Sequence, residues 1–128
     1  MRYRLTARGR SICYVTDNEL FPRDNSRYNP RYVEQLASFV RGADLLITDT
    51  TYRDEEYPGR VEWGHSSVSQ VIGLAARANV KRLHLFHHDP DQTDSDIDAK
   101  LEDARKELQR LGSRVVCEAP AEGDNVVL

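Results

Sequence analysis

The sequence predicts a layered α/β fold, and three observations carry that prediction. Short apolar runs alternate with amphipathic helical patterns along the whole chain. The run Leu45-Leu46-Ile47 is wholly apolar, as expected of a strand buried on both faces. Polar residues gather where such runs end, at Thr16-Asp17, Thr48-Asp49 and Phe86-His87-His88-Asp89. In open α/β sheets ligands bind beyond the strand ends, so these tips mark the expected site.

Each element has its own signal. Residues 3–7 and 11–16 read as two strands, and Arg8-Gly9-Arg10 between them supplies a hairpin turn in which glycine takes a positive φ. A polar, proline-bearing stretch follows over 18–29. Pro30 suits the first position of a helix capped by Asn29, with Val33, Leu36, Ala37 and Val40 on one face and Gly42 as its stop. After Leu45-Leu46-Ile47 a loop runs to Trp63. Ser66 or Ser67 caps a second helix bearing Val68, Val71, Ile72, Ala75 and Ala78. Leu83 and Leu85 flank His84 in another strand ending at His87. The acidic segment 89–96 opens a long charged helix with Ile97, Leu101, Ala104, Leu108 and Leu111 inward and Gly112 at its end. Val115-Val116 and Val126-Val127-Leu128 are expected as final extended pieces.

With 128 residues, of which 30% are charged and 39% hydrophobic, the chain is expected to form a single domain, residues 1–128. A formal charge of -3 offers no diffuse attraction to phosphate backbones, which argues against DNA and, more weakly, against RNA as a partner. No apolar run is long enough to span a bilayer and no secretion signal precedes Arg4, so a cytoplasmic location is expected, without membrane association. Cys13 and Cys117 lie far apart in apolar runs and read as buried thiols. The acids Asp89, Asp91, Asp94, Asp96 and Asp98 lack the glycine and terminal glutamate of an EF-hand loop, so capping and the helix dipole explain them better than calcium. Trp63 and Tyr57 are candidate aromatics facing a substrate.

Four segments, in order, resemble the metallo-β-lactamase superfamily, in particular its phosphodiesterase and tRNase Z-like branch. Tyr14-Val15-Thr16-Asp17 is similar to the segment carrying the metal-bridging aspartate, and Leu85-Phe86-His87-His88-Asp89 to that carrying the last histidine ligand. Asp49, at the end of Leu45-Leu46-Ile47-Thr48, stands where a glutamate is commoner, and Gly64-His65-Ser66-Ser67 is similar to the histidine motif that follows. The resemblance implies the C-terminal half of an αββα sandwich, with Asp17 and His87 as metal ligands and Asp49 and His65 as a catalytic pair. It implies a divalent metal, zinc first and manganese or iron next, held weakly or not at all by the isolated chain, because the His-x-His-x-Asp-His motif is expected upstream of Met1.

Two functions are therefore expected. The first is a metal-dependent hydrolase of phosphoesters, inactive as this chain alone, with a small-molecule phosphoester as substrate and a complementary N-terminal half as partner. The alternative is a metal-free assembly or interaction module derived from that fold, associating as a homo-oligomer to cover an open sheet face.

Overall fold

The computed structural model describes residues 1–128. One five-stranded sheet runs β1 (Arg2–Ala7), β2 (Arg10–Val15), β3 (Leu45–Asp49), β4 (Arg82–Phe86), β5 (Val116–Glu118), in that spatial order. Strands β1 and β2 form the expected antiparallel hairpin, turned by Arg8 and Gly9, both with positive φ. The remaining pairs are parallel, and each crossover carries a helix: α1 (Pro30–Val40), α2 (Val68–Ala78) and α3 (Asp94–Arg110). A short 3-10 turn, Tyr57–Gly59, interrupts the loop after β3.

The local chemistry explains the helix boundaries. Asn29 accepts from the backbone N–H groups of Arg31 and Tyr32, with Pro30 at the first helical position, so α1 starts where the sequence predicts. Ser67 and Gln70 form a capping box at α2, and Thr93 and Asp96 form another at α3. The long helix therefore begins at Asp94, after the 89–93 loop and not within it. Val126-Val127-Leu128 forms no strand; it stays irregular chain lying beside Leu45, Ile47, Arg82 and Val116.

All three helices pack on one face. Cys13, Val15, Leu46, Leu83, Leu85 and Cys117 from alternate sheet positions join Leu36, Val40, Val71, Ile72, Ala104 and Leu108 in a single apolar core. Both cysteines are free and buried, and burial raises the Cys117 thiol to about 12. On the other face Tyr3, Leu5, Phe86 and Val116 are exposed, and Ala119 and Val126 of the tail share a cavity with Leu45, Ile47 and His84. His84 is thus a strand-face residue, 3.5 Å from Glu118. Leu111, expected inward, is 44% exposed because α3 ends before it. No helix is long and apolar enough to cross a membrane.

Two charged residues fasten the sheet and its loops. Asp44 accepts from Ser11 N at 2.8 Å and pairs with Lys81 at 3.1 Å, tying together the starts of β2, β3 and β4. These bonds, the Ser11 amide first, hold its carboxyl below the usual range. Lys100, which reads as a surface residue of α3, is instead fully buried. Its ammonium donates to the carbonyls of Thr50 at 2.8 Å and Thr51 at 3.3 Å and to Gln92 Oε1 at 2.8 Å. A buried cation needs such acceptors, and here they pin the turn that leaves β3. Burial pushes its pKa down to about 8 against the pull of Glu56, Asp49 and Asp89.

Lys100→Met should lower the unfolding free energy at pH 7 by about 1–3 kcal/mol, since several buried acceptors lose their donor. The folded pKa lies below the ordinary 10.5, so the unfolded chain binds the extra proton between about pH 8 and 10.5. The burial cost of the charge is fully felt below about pH 8 and is relieved above it. The stability gap between wild type and variant should therefore widen from pH 8 to pH 10 in urea titrations.

Candidate metal centre

The register of the parallel strands sets the site. Val15 pairs with Thr48 and Thr48 with Leu85, so the residues just beyond these positions leave the sheet along one edge. Asp17 follows β2, Asp49 ends β3 and His87 follows β4. Asp17 and His87 both adopt left-handed backbone conformations, with φ of 47° and 58°. Asp tolerates this region; His does so at a cost, and both turn the chain sharply at a strand end. His65 reaches the same edge from the loop before α2, directly after Gly64, whose φ of 90° suits glycine alone.

The four predicted residues meet. One donor atom from each of Asp17, His65 and His87 can be chosen so that all three lie within 4.8 Å of one another. His87 Nε2 is 3.8 Å from Asp17 Oδ1, and the rings of His65 and His87 stack with centroids 4.6 Å apart. Two imidazoles and a carboxylate converging in this way are a donor set for a divalent cation. Asp17 and His87 are exposed and His65 partly so, which leaves the shared donor face open to solvent.

Asp49 lies behind this face with no accessible surface. Its Oδ2 is 2.6 Å from His65 Nδ1 and accepts from Asn18 N at 3.4 Å, and its Oδ1 accepts from the Thr51 hydroxyl at 2.7 Å. With Nδ1 committed to Asp49, His65 has only Nε2 free for a ligand or a proton. Thr51 Oγ1 also stands 3.2 Å from His87 Nδ1 and 2.7 Å from the His87 carbonyl oxygen. A hydroxyl has one proton and two lone pairs, so whether it donates to Asp49 Oδ1 or to the His87 carbonyl oxygen, a lone pair remains to accept from His87 Nδ1–H. That arrangement leaves His87 Nε2 unprotonated on the side of Asp17.

Sequence reasoning missed three supports. Thr51 reads as a strand terminator, yet it links Asp49 to His87. Glu19 is buried and accepts from Tyr57 OH at 2.6 Å and from the amides of Glu62 and Gly64, each at 2.9 Å, which holds the loop that presents His65. Asn18 takes the Tyr32 hydroxyl on its side chain and Ser66 Oγ, at 2.6 Å, on its carbonyl. The signal available in sequence was the run Asp17-Asn18-Glu19, three polar residues directly after an apolar strand. Tyr57 faces Glu19 in the interior, not a substrate, and with burial and that bond its hydroxyl is held well above the usual phenol range. Trp63 is 60% exposed beneath the Arg60 guanidinium. His88 stays outside the cluster; burial, then Lys100 and His87, push its pKa down to about 4, so it is neutral, with Nδ1 unpartnered.

Comparison with known proteins places this geometry. Residues 1–88 match the family described as the beta-lactamase superfamily domain. The chain is 39% identical over 102 residues to a protein named Ribonuclease Z from Thermoplasma acidophilum, covering 80% of this chain and 29% of the relative. It is 34% identical to the Ribonuclease Z of Thermoplasma volcanium with the same coverage. The chain thus spans less than a third of the length of these relatives. The metallo-beta-lactamase fold protein YhfI from Bacillus subtilis superimposes with a TM-score of 0.59 at 19% identity, over 91% of this chain and 39% of that one, which speaks to the fold alone. The relatives are named for action on RNA, and this overturns the expectation of a small-molecule substrate and of a chain without a nucleic-acid partner. That expectation rested on net charge, which averages over the whole surface, whereas phosphate recognition is local. With 88 residues matching one continuous domain and the expected fold observed, the chain belongs to the metallo-beta-lactamase superfamily, in the branch that includes ribonuclease Z.

Proposed function

We propose that this chain carries part of the metal centre of a hydrolase that cleaves phosphodiester bonds in RNA. The observation that carries the reading is the convergence of Asp17, His65 and His87 in front of the buried Asp49. Membership of the superfamily and relatives named Ribonuclease Z support the choice of reaction.

In this proposal Asp17 and His87 hold a divalent cation, zinc before manganese or iron. A cation bound there would activate a water and neutralise charge on a phosphoryl oxygen. Thr51 fixes the His87 tautomer that leaves Nε2 free. His65, oriented by Asp49 at Nδ1, delivers a proton from Nε2 to the leaving ribose oxygen. The exposed donor face admits a strand of RNA without rearrangement of the sheet. A reducing, cytoplasmic compartment belongs to the same proposal, and the two free buried thiols support it.

Metal content and turnover separate the roles. With the complementary N-terminal half supplied, Asp17→Ala should reduce the zinc retained per complex, measured by elemental analysis after dialysis, by at least tenfold, and the other variants are compared in the same complex. His65→Ala should leave retained zinc unchanged while slowing cleavage of an RNA oligonucleotide about 100-fold or more, the usual scale of a lost proton donor. Equal metal loss in both variants would make His65 a ligand and reject the division. Thr51→Val removes the hydroxyl between Asp49 and His87, and should cost about 1–3 kcal/mol in thermal or urea unfolding while weakening zinc affinity about 10- to 100-fold. Unaltered zinc affinity would show that Thr51 does not set the His87 ring.

A further inference from the structure

Two cavities lie beside the metal centre and share Leu20 and Phe21. The first, about 460 Å³, opens next to Asp17 and Gly64; the second, about 300 Å³, lies between residues 20–28 and helix α2. Together they form one groove that leads away from the triad.

Its lining inverts the character of the chain. The sequence holds 21 acidic residues against 18 lysines and arginines, yet the second cavity presents Arg23 and Arg77 and no carboxylate. The first adds Arg27; of its two carboxylates Glu19 is engaged by Tyr57 and two amides, and Asp17 stands at the end next to the triad. Phe21, Tyr28 and Tyr32 supply aromatic faces along the groove, with amide groups from Asn29 and Gln70.

Phe21, at the junction, has φ of 61°. A bulky side chain in this region is strained by about 1–3 kcal/mol, and the following Pro22 further favours an extended conformation there. The buried Glu19 bonds hold the preceding chain in place, so the strain is retained where the two cavities meet. Arg27 pairs with Glu62 at 2.9 Å and Arg77 with Glu34, and all four side chains are about half exposed. Such pairs contribute only about 0–1 kcal/mol, so a phosphate can displace the carboxylates at little cost.

We propose that this groove is a subsite for single-stranded RNA next to the scissile phosphate. A base stacks on Phe21 and Tyr28, and Arg23 and Arg77 hold the adjoining phosphate. Aromatic faces interleaved with arginines are the pattern of single-strand recognition. The inference rests on the proposed RNA hydrolase and adds where its substrate strand runs.

The test is fluorescence anisotropy of a labelled eight-residue oligouridylate with the full 128-residue chain in EDTA, so that binding does not depend on metal. Arg23→Ala/Arg77→Ala should weaken binding at least tenfold and flatten the slope of log affinity against log salt by about 0.7, from the loss of the one single-strand phosphate those arginines hold. Tyr28→Leu should weaken binding about five- to tenfold with the salt slope unchanged, the scale of one lost stack. The distant pair Arg110→Ala/Arg114→Ala should bind like wild type. No RNA binding by wild type, full affinity in the groove arginine variant, or equal loss in the distant pair overturns the subsite. Competition by heparin equal to that by RNA per charge, with Tyr28→Leu unaffected, reduces it to unspecific attraction and also overturns it. Circular dichroism confirms that each variant folds, and if Tyr28→Leu does not, the arginine pairs and their salt slopes decide alone. Failure of the metal centre with arginine-sensitive RNA binding intact would count against the hydrolase reading alone, and intact zinc binding with arginine-insensitive RNA binding against the subsite alone.

Discussion

A carboxylate with no contact to water must find its hydrogen bonds within the protein, and at Asp49 that requirement organises the site. Its two oxygens meet His65 from the loop before α2, Asn18 from the loop after β2 and Thr51 from the turn after β3. Three segments far apart in sequence are thereby brought to one point at the end of the central strands. The exposed groups in front of it, Asp17 and His87, inherit their positions from that point: Asp17 precedes Asn18, and His87 is fastened through Thr51. The face proposed to hold a cation is set by a buried acid that need not itself touch metal or substrate.

The rear of the same turn is closed by another ion. Lys100 binds the Thr50 and Thr51 carbonyls from α3, and Gln92 bridges Lys100, Thr51 and Glu56. Asp49 and Lys100 therefore grip opposite sides of a three-residue stretch, one through side chains and one through main-chain oxygens. Buried charges are costly, and their retention here follows from what they position more than from any gain in stability. Glu19 repeats the device on the His65 loop, with one carboxylate satisfying a tyrosine and two amides.

Much of this was legible in sequence where the signal was periodic or terminal. Leu45-Leu46-Ile47 declares a buried strand, Asn29-Pro30 a helix start, and the polar tips at Asp17, Asp49 and His87 the edge where they meet. The convergence of Asp17, His65 and His87 follows from a parallel register that the sequence only implies. What stayed hidden were polar residues turned inward by tertiary contacts. Lys100 occupies a helix position whose neighbours are charged, and nothing local distinguishes it from a surface lysine. Glu19 and Thr51 carry no local signal, because partners such as Tyr57 and His87 lie dozens of residues away. The start of α3 was misread because acids both precede and enter a helix, whereas Thr93 alone carries the cap. The substrate class was misjudged from net charge, a sum that conceals the arginine-lined groove beside Asp17.

The central claim is that Asp49 and Thr51 fix the ring nitrogens of His65 and His87, so that His87 presents Nε2 to a cation and His65 presents Nε2 to the substrate. Long-range proton–nitrogen NMR of the four histidine rings reads those tautomers directly. The account predicts His65 and His87 protonated at Nδ1 in the metal-free chain, with added zinc shifting the Nε2 resonance of His87 most, that of His65 as its neighbour, and those of His84 and His88 little. Nε2-protonated rings at positions 65 and 87, or zinc shifts concentrated on His84 and His88, would contradict it.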